Sequence, residues 1–489
     1  MYSNANNTLR LPIWLAVFAT ALWCFVFTKA ALSSITHDEA STYFHHLNSD
    51  FFTCLYSPDC WKSANNHLLN TLFWQQTIRW LGPTELGMRL PNVLGYLLYL
   101  AAGIFLVLRI TSRLLPGLAA FALLNFNPFL LDFFSLARGY GLCAAFVLAA
   151  LAMWFIFWEQ KRLILLLGVL AGLYAAVLAN FVALNVFVAI VGATAVMVWR
   201  DESAFRWRIW GMLGGASVLL ALLLHRPIRF LRQGGEFQYG SGSFAESMES
   251  MIKNPLYGNA YFGDATSTIV SVMALLALAL VSYMTFKRLY IGMSDRTNRF
   301  LSAVCIAFGF SIVIMIVQHY LLGSVYLINR TITPLMPLLS VILAVGLLTV
   351  SGRYRAVSFA SFITIFLLSW NLLRAGNIRY FREWWYDENT KSVMLYLNDA
   401  GQARQLPVTA GVSWLFFPAA EFYRTTLPLP FVAPLENRSD INPTSGFDYY
   451  YLEESQKALL GDSYIQEKYY NWGRVLMRKQ RDSTALAPQ

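Results

Sequence analysis

Two adjacent carboxylates, Asp38 and Glu39, sit in the stretch Thr36-His37-Asp38-Glu39-Ala40 immediately after the first long apolar segment of the chain. An ionised carboxylate held at the surface of a membrane can take a proton from a substrate hydroxyl. The pair also fits a helix start. Thr36-x-x-Glu39 has the spacing of a capping box, and Asp38 falls in a first turn, where the helix dipole favours an acid. Adjacent positions cannot both point the same way. One acid is therefore expected to hold the turn and the other to do chemistry, with Asp38 the better choice for chemistry.

Candidate partners for an anion follow along the chain. His67 lies in Asn65-Asn66-His67-Leu68-Leu69-Asn70, either as a ligand for a phosphate or sugar or as a solvated polar residue. Arg138, in Leu136-Ala137-Arg138-Gly139-Tyr140, stands at the outer end of a span. It either meets an anion there or snorkels to lipid headgroups. Arg226, Arg229 and Arg232 recur every third residue, so a helix would carry them near one face. Guanidinium groups bind phosphate oxygens in pairs, although generic headgroup binding suits the same cluster. His319 sits within an apolar run, either as a satisfied core histidine or as part of an anion site, and Arg330 opens the following span. Gly234-Gly235 and Gly240-Ser241-Gly242 predict a mobile stretch after the arginines.

The elements that position these residues are membrane helices. Of 489 residues, 57% are hydrophobic and 13% charged, with mean hydropathy +0.48. A soluble domain carries about 25% charged residues, so the composition is that of an integral membrane protein. The net charge of +10 needs no nucleic acid to explain it, because Lys and Arg gather on the cytoplasmic side of membrane proteins. Apolar runs suited to about 30 Å of hydrocarbon recur about eleven times. They lie near 11–32, 87–108, 114–131, 138–158, 163–179, 181–199, 209–224, 267–286, 300–321, 331–350 and 356–373. The first reads as an uncleaved span, since it is long for a signal peptide and no small-residue cleavage site follows it.

Cationic connections alternate along the chain. Arg10, Arg109/Arg113, Lys161/Arg162, Arg200/Arg206/Arg208, Lys287/Arg288/Arg296/Arg299 and Arg353/Arg355 all fall on one side. That pattern places the N-terminus in the cytoplasm. It leaves the loop 33–86, a second loop 225–266 and the region 374–489 outside. The expected organisation is a transmembrane domain over 1–373 followed by a small extracytoplasmic α/β domain over 374–489. Within that tail, Pro407–Val412, Leu427–Val432, Phe447–Leu452 and Arg474–Met477 read as strands. Lys391–Ala400, Phe416–Tyr423 and Glu454–Leu460 read as helices. In the first outer loop, short helices are expected over 41–47 and from Asn65, the second amphipathic and interfacial. Cys54 and Cys60 flank Ser57-Pro58-Asp59, and a disulfide there is expected if the loop is extracytoplasmic. Cys24, Cys143 and Cys305 lie in apolar spans as packing residues.

No phosphate-binding glycine loop, dinucleotide fingerprint or Cys/His metal spacing is present. Energy for any transfer must then arrive stored in a membrane-soluble donor.

In combination, His37-Asp38-Glu39-Ala40 after a first span, Asn66-His67-Leu68-Leu69-Asn70, Glu85-Leu86-Gly87-Met88-Arg89-Leu90-Pro91 and Ala137-Arg138-Gly139-Tyr140 resemble the GT-C glycosyltransferases. The likeness is to the group of dolichyl-phosphate-mannose–protein mannosyltransferases and aminoarabinose transferases. This resemblance implies a polytopic α-helical fold and inverting transfer of a sugar from a polyprenyl-phosphate donor. The acceptor would be an envelope lipid, glycan or protein on the outer face of a bacterial-type inner membrane. It implies Asp38 as the base, with Arg138, Arg226, Arg229, His319, Arg330 and His67 around the donor phosphate. The family often has a basic residue followed by prolines where this chain has His67-Leu68-Leu69. Some members use a divalent metal, for which Asp38 or Glu39 would be the ligand here; no other cofactor is implied. A lipid-linked saccharide transporter or flippase, or an envelope-glycan polymerase or ligase, would share the same loops. Against a transporter stand the missing repeat and charges that lie at span ends, although Asn125, Asn127 and Asn185 are polar within spans.

Overall fold

The structure, a computed structural model, describes residues 5–61, 63–199, 205–257, 264–290, 295–349, 354–438, 441 and 443–480. Arg200 and Arg353 of the cationic pattern, and residues 258–263 of the second outer loop, lie outside the described residues. The chain forms two compact units. One comprises Met1–Ala30, Ser49–Thr77 and Met88–Gly376; the other comprises Ala31–Asn48, Ile78–Gly87 and Asn377–Gln489.

The first unit is helical. Each of the eleven apolar runs contains helix, but they are not equal. Among the described residues, seven helices are long and apolar enough to cross a membrane: Arg10–Leu32, Glu85–Ile110, Tyr140–Gln160, Phe205–Gln233, Arg296–Leu322, Asn329–Thr349 and Arg355–Ala375. The run 114–131 is a bent pair, Leu114–Asn125 and Pro128–Phe134, turning by 59°. The cause is local. Pro128 begins a new helix, and Asn127 caps it by accepting from the Leu130 N–H (3.1 Å). Leu163–Ala179 and Ala183–Trp199 have 17 residues each. At 1.5 Å per residue each reaches roughly 25 Å, short of the full hydrocarbon thickness. Tyr140–Gln160 is the central helix, with 78% of its apolar window buried, against 17% for Arg355–Ala375 at the periphery.

Helix Phe205–Gln233 runs past the apolar stretch 209–224 through residues 225–233, so the arginine triplet rides on a helix, as its spacing suggested, and two further helical segments, Glu236–Gln238 and Phe244–Lys253, follow. Buried Leu224 and Leu231 hold it in helix past the expected end of the span, across the interior Pro227.

The second unit carries a five-stranded sheet: β1 (Ala410–Ser413), β2 (Glu436–Arg438), β3 (Tyr449–Glu453), β4 (Tyr464–Tyr470) and β5 (Arg474–Lys479), in the order β2-β1-β3-β5-β4. β1 is parallel to β2 and β3, and β5 is antiparallel to β3 and β4. The crossover from β1 to β2 runs through helix Phe417–Thr426, as a parallel pair requires. Helices Thr390–Arg404 and His37–His46 belong to the same unit.

Leu427–Val432 is not a strand; it meets the sheet only through the bridge between Val408 and Val432. β4 escaped sequence reading because Gln466, Glu467 and Lys468 fill its middle and its burial does not alternate, which an edge strand tolerates. The Glu454–Leu460 segment is a 3-10 helix extending to Ser463, broken at Gly461 by a left-handed φ of 59°.

Candidate active site

Asp38 lies in the second unit, in the first turn of helix His37–His46. Thr36 caps that helix as the spacing predicted. The Glu39 N–H donates to Thr36 Oγ1 (3.4 Å), and Glu39 Oε2 accepts from both the Thr36 N–H (2.9 Å) and its hydroxyl (3.1 Å). Glu39 is wholly buried and its carboxylate is committed to the turn. Asp38 is buried too, and its backbone carbonyl accepts from the Thr42 hydroxyl (2.7 Å), which tightens the turn it sits on.

Residues distant in sequence complete this helix start. The His37 N–H donates to Asp387 Oδ2 (2.6 Å), and His37 Nδ1 bonds the Leu415 carbonyl (2.8 Å). The Ile35 N–H donates to the Tyr423 hydroxyl (2.6 Å), which donates onward to Glu85 Oε1 (3.0 Å). Lys391 Nζ pairs with the same Glu85 oxygen (2.6 Å), and the Lys391 N–H donates to Ser34 Oγ (3.1 Å). Burial, followed by the nearby Asp38 and Glu39 carboxylates, holds the Asp387 carboxyl well above the usual carboxylate range. The His37 N–H and Arg474 pull the other way.

The basic candidates gather in the first unit. Arg138 occupies the break before helix Tyr140–Gln160 and is almost fully buried. Its Nη1 donates to the Asn65 carbonyl (3.1 Å) and its Nη2 to Asn65 Oδ1 (3.0 Å). His67 stacks edge-on against Tyr140 with ring centroids 5.1 Å apart. It precedes helix Leu68–Leu81 rather than lying inside it, because the helix starts three residues later than its sequence suggests. The Thr71 N–H donates to the His67 carbonyl (2.8 Å). Burial, then the charges of Arg138 and Arg330, push the His67 imidazole well below its usual range, so it is neutral at pH 7. Its Nε2 is buried with no hydrogen-bond partner among the described residues. The Arg330 guanidinium lies 4.4 Å over the Tyr239 ring.

Supporting structure is dense around this cluster. Cys54 and Cys60 are joined in a disulfide, and with Leu55, Trp61, Leu68 and Leu231 they form a small buried core. That core holds Asn66, whose Nδ2 donates to the Cys60 carbonyl (3.2 Å), one residue from His67. Asn70 Nδ2 donates to the Ala137 carbonyl (2.9 Å), and Asn92 Nδ2 to Asn70 Oδ1 (2.6 Å). Gly139 permits the closest approach: a Cβ there would stand 1.8 Å from the Ala179 carbonyl oxygen and 2.9 Å from the His67 Cβ.

Other candidates are placed differently. Arg226, Arg229 and Arg232 are all exposed, and Arg226 lies 5.1 Å over the Tyr56 ring. His319 is partly buried, stacks on Tyr326 at 4.3 Å and bonds the Ser324 carbonyl through Nδ1 (2.8 Å). Those contacts give it the partners of a satisfied core histidine.

Sequence reading passed over two buried groups. Lys29 pairs with Asp132 Oδ1 (2.5 Å) and the Tyr257 hydroxyl donates to Asp132 Oδ2, with all three residues almost fully buried. Arg89, also buried, donates from Nη1 to the Ala30 carbonyl (3.0 Å). Charges inside apolar segments were the available signal. Asp387 and Arg474 carried no such signal, because a polar residue in a mixed α/β domain is unremarkable.

No protein-family model matches the chain, and no curated protein matches it. Among solved structures it is similar to ArnT from Cupriavidus metallidurans. In the apo state that protein aligns at 13% identity over 95% of this chain and 97% of its own, with a TM-score of 0.50. A second structure of it, bound to undecaprenyl phosphate, aligns at 13% identity over 98% and 99%, with a TM-score of 0.49. The apo alignment shows the fold: this chain is a polytopic helical membrane protein of GT-C-like architecture with a small C-terminal sheet domain.

Proposed function

We propose that this protein is a membrane glycosyltransferase that moves a sugar from a polyprenyl-phosphate carrier to an acceptor hydroxyl or amine on the outer face of a bacterial-type inner membrane. The observation that carries the reading is the division of the acid pair. Glu39 is spent on the helix cap, while Asp38 presents a second carboxylate from the same buried, rigid turn. A base held this way costs no reorganisation when the proton moves.

In the proposed reaction Asp38 accepts the acceptor's proton, and the acceptor atom bonds to the anomeric carbon. The bond from that carbon to the phosphate oxygen breaks, and polyprenyl phosphate departs with the electron pair. One direct displacement inverts the anomeric centre. The resemblance to the GT-C glycosyltransferases assigns Arg138 and Arg330 to the leaving phosphate, which becomes more negative as the bond breaks. Neutral His67, with its buried Nε2, suits a hydroxyl of the donor sugar or, as an N–H donor, an oxygen of the ionised phosphate. ArnT holds undecaprenyl phosphate in one of its crystal structures, and that ligand class is extended here as part of the proposal. The acceptor is an envelope lipid, glycan or protein.

The test is Asp38→Asn in membranes of the native host, which contain donor and acceptor. Transfer, followed by mass spectrometry of envelope glycans and glycoproteins, is expected to fall by about 10²–10⁴-fold, the range for loss of a general base. Wild-type transfer by the variant would end the assignment. Chelator treatment of the same membranes reads metal dependence. A second reading, transport of a lipid-linked saccharide, draws on the buried Lys29–Asp132–Tyr257 group, since ionisable residues inside spans often line a pathway. Movement of labelled lipid-linked sugar without a covalent product would favour it.

A further inference from the structure

Helix His37–His46 does not fix its own start. Thr36 and Glu39 satisfy the cap through the box, yet the first helical amide, that of His37, is taken by Asp387, 350 residues away in sequence. At 2.6 Å the two groups are in close contact. Asp387 is itself almost fully buried, and its other oxygen lies 3.5 Å from the Thr390 hydroxyl. Arg474 of β5 is the counter-charge on this side. Its guanidinium packs over Trp385 (4.6 Å) and Phe416 (5.0 Å), and its Nη1 donates to the Trp472 carbonyl (2.8 Å). The Tyr451 hydroxyl of β3 completes the surroundings of the Asp387 carboxyl.

As a mere cap, Asp387 is surplus. Asp38 and Glu39 already place two carboxylates at this helix start, and a third one buried beside them adds like-charge repulsion and desolvation. What the third acid supplies is direction. The box fixes the helix start only to its own local turn, whereas the bond to Asp387 ties the His37 amide to the frame of the sheet domain. Rotation of the first turn about the helix axis would swing Asp38, the next residue, and the His37–Asp387 bond opposes that rotation. Leu415 and Trp414 hold the His37 ring on the same side, the latter with ring centroids 6.0 Å apart.

We propose that Asp387 is a positioning residue for Asp38, fixing the aim of the catalytic carboxylate by accepting the His37 N–H. The proposal rests on the reading of Asp38 as the base. It makes the C-terminal sheet domain part of the catalytic machinery rather than an appended module.

Four variants test it in native-host membranes: Asp387→Ala, Asp387→Asn, His37→Pro and the double variant Asp387→Ala/His37→Pro. Asp387→Ala is expected to slow transfer about 10- to 100-fold, the scale of a misaimed catalytic group. Asp387→Asn keeps an acceptor oxygen for the His37 N–H and is expected to stay within about threefold of wild type. Proline is favoured at the first helical position but has no N–H, so His37→Pro removes the donor without breaking the helix. In its background, Asp387→Ala is expected to cause no further loss, the mark of two residues acting through one bond. Hydrogen exchange of the purified full-length protein is expected to quicken over residues 33–44 in Asp387→Ala and to be unchanged over β3 and β5.

Equal inactivity of the Asn and Ala variants, multiplying losses in the double variant, or wild-type transfer by Asp387→Ala would each overturn the proposal. Should Asp387→Ala also loosen β3 and β5, the Asn and Pro variants decide on the same criteria. The outcomes separate from failure of the base assignment. An active Asp38→Asn ends that reading, whereas an inactive Asp38→Asn with a normal Asp387→Ala ends only this one.

Discussion

At the scale of single residues, the acid pair shows how neighbours in sequence acquire different work. Glu39 is drawn back onto the Thr36 amide and hydroxyl by the geometry of a capping box, which spacing alone foretold. Its neighbour Asp38 turns about 100° further round the helix, so it cannot share that contact. Histidine in the same helix gives a pH prediction. Burial, reinforced by the His45 ring beside it, lowers the His46 pKa from 6.5 to about 4. The unfolded chain therefore binds a proton that the folded one refuses. This contribution is intact above about pH 6.5 and is lost as the pH falls towards 4. His46→Gln is accordingly expected to lose less thermal stability than wild type between about pH 7 and pH 5, measured by circular dichroism of the detergent-solubilised protein. An equal loss in both would contradict the buried neutral state.

Among the secondary-structure elements, close contacts decide where the basic residues stand. Arg138 and His67 are 71 positions apart, and they come together because the break at 135–139 lets Gly139 lie against the end of helix Leu163–Ala179. Gly139→Ala would drive a methyl into the Ala179 carbonyl, and backbone cannot yield as a side-chain tip can. The expected result is about 1–3 kcal/mol of destabilisation, typical of overpacking, with transfer falling by more than about tenfold as His67 is displaced. Thermal unfolding and the membrane assay read the two effects. A neutral Gly139→Ala would mean the contact is not close in solution. The strand β4 teaches the converse. Its burial does not alternate: Tyr464 is buried, Ile465, Gln466, Lys468 and Tyr469 are exposed, and a register shift falls between Gln466 and Lys468, as an edge strand tolerates.

For the whole molecule, charge and hydropathy predict more than packing does. From the alternation of Lys and Arg between the apolar runs we propose a cytoplasmic N-terminus and a sheet domain outside, the side on which a lipid-linked donor without a nucleotide would be used. Single cysteines placed near residue 5 and at Ser455 test this with a membrane-impermeant thiol reagent in intact spheroplasts. Labelling is expected at 455 only; the reverse pattern would invert the topology and remove the outer-face assignment.

The sequence alone determined the membrane class, the places of the apolar runs and the cap at Thr36. These follow from hydropathy, charge and the spacing of a few neighbouring residues, all of them local quantities. Tertiary structure decided what locality cannot carry. It buried Arg138 beside His67 and left Arg226, Arg229 and Arg232 exposed on helix Phe205–Gln233, and it paired Lys29 with Asp132 across 103 positions. It also brought Asp387 to the amide of His37. The physical reason is that a hydrogen bond between residues hundreds of positions apart leaves no periodic trace. Its partners are ordinary polar residues until the fold removes water from around them.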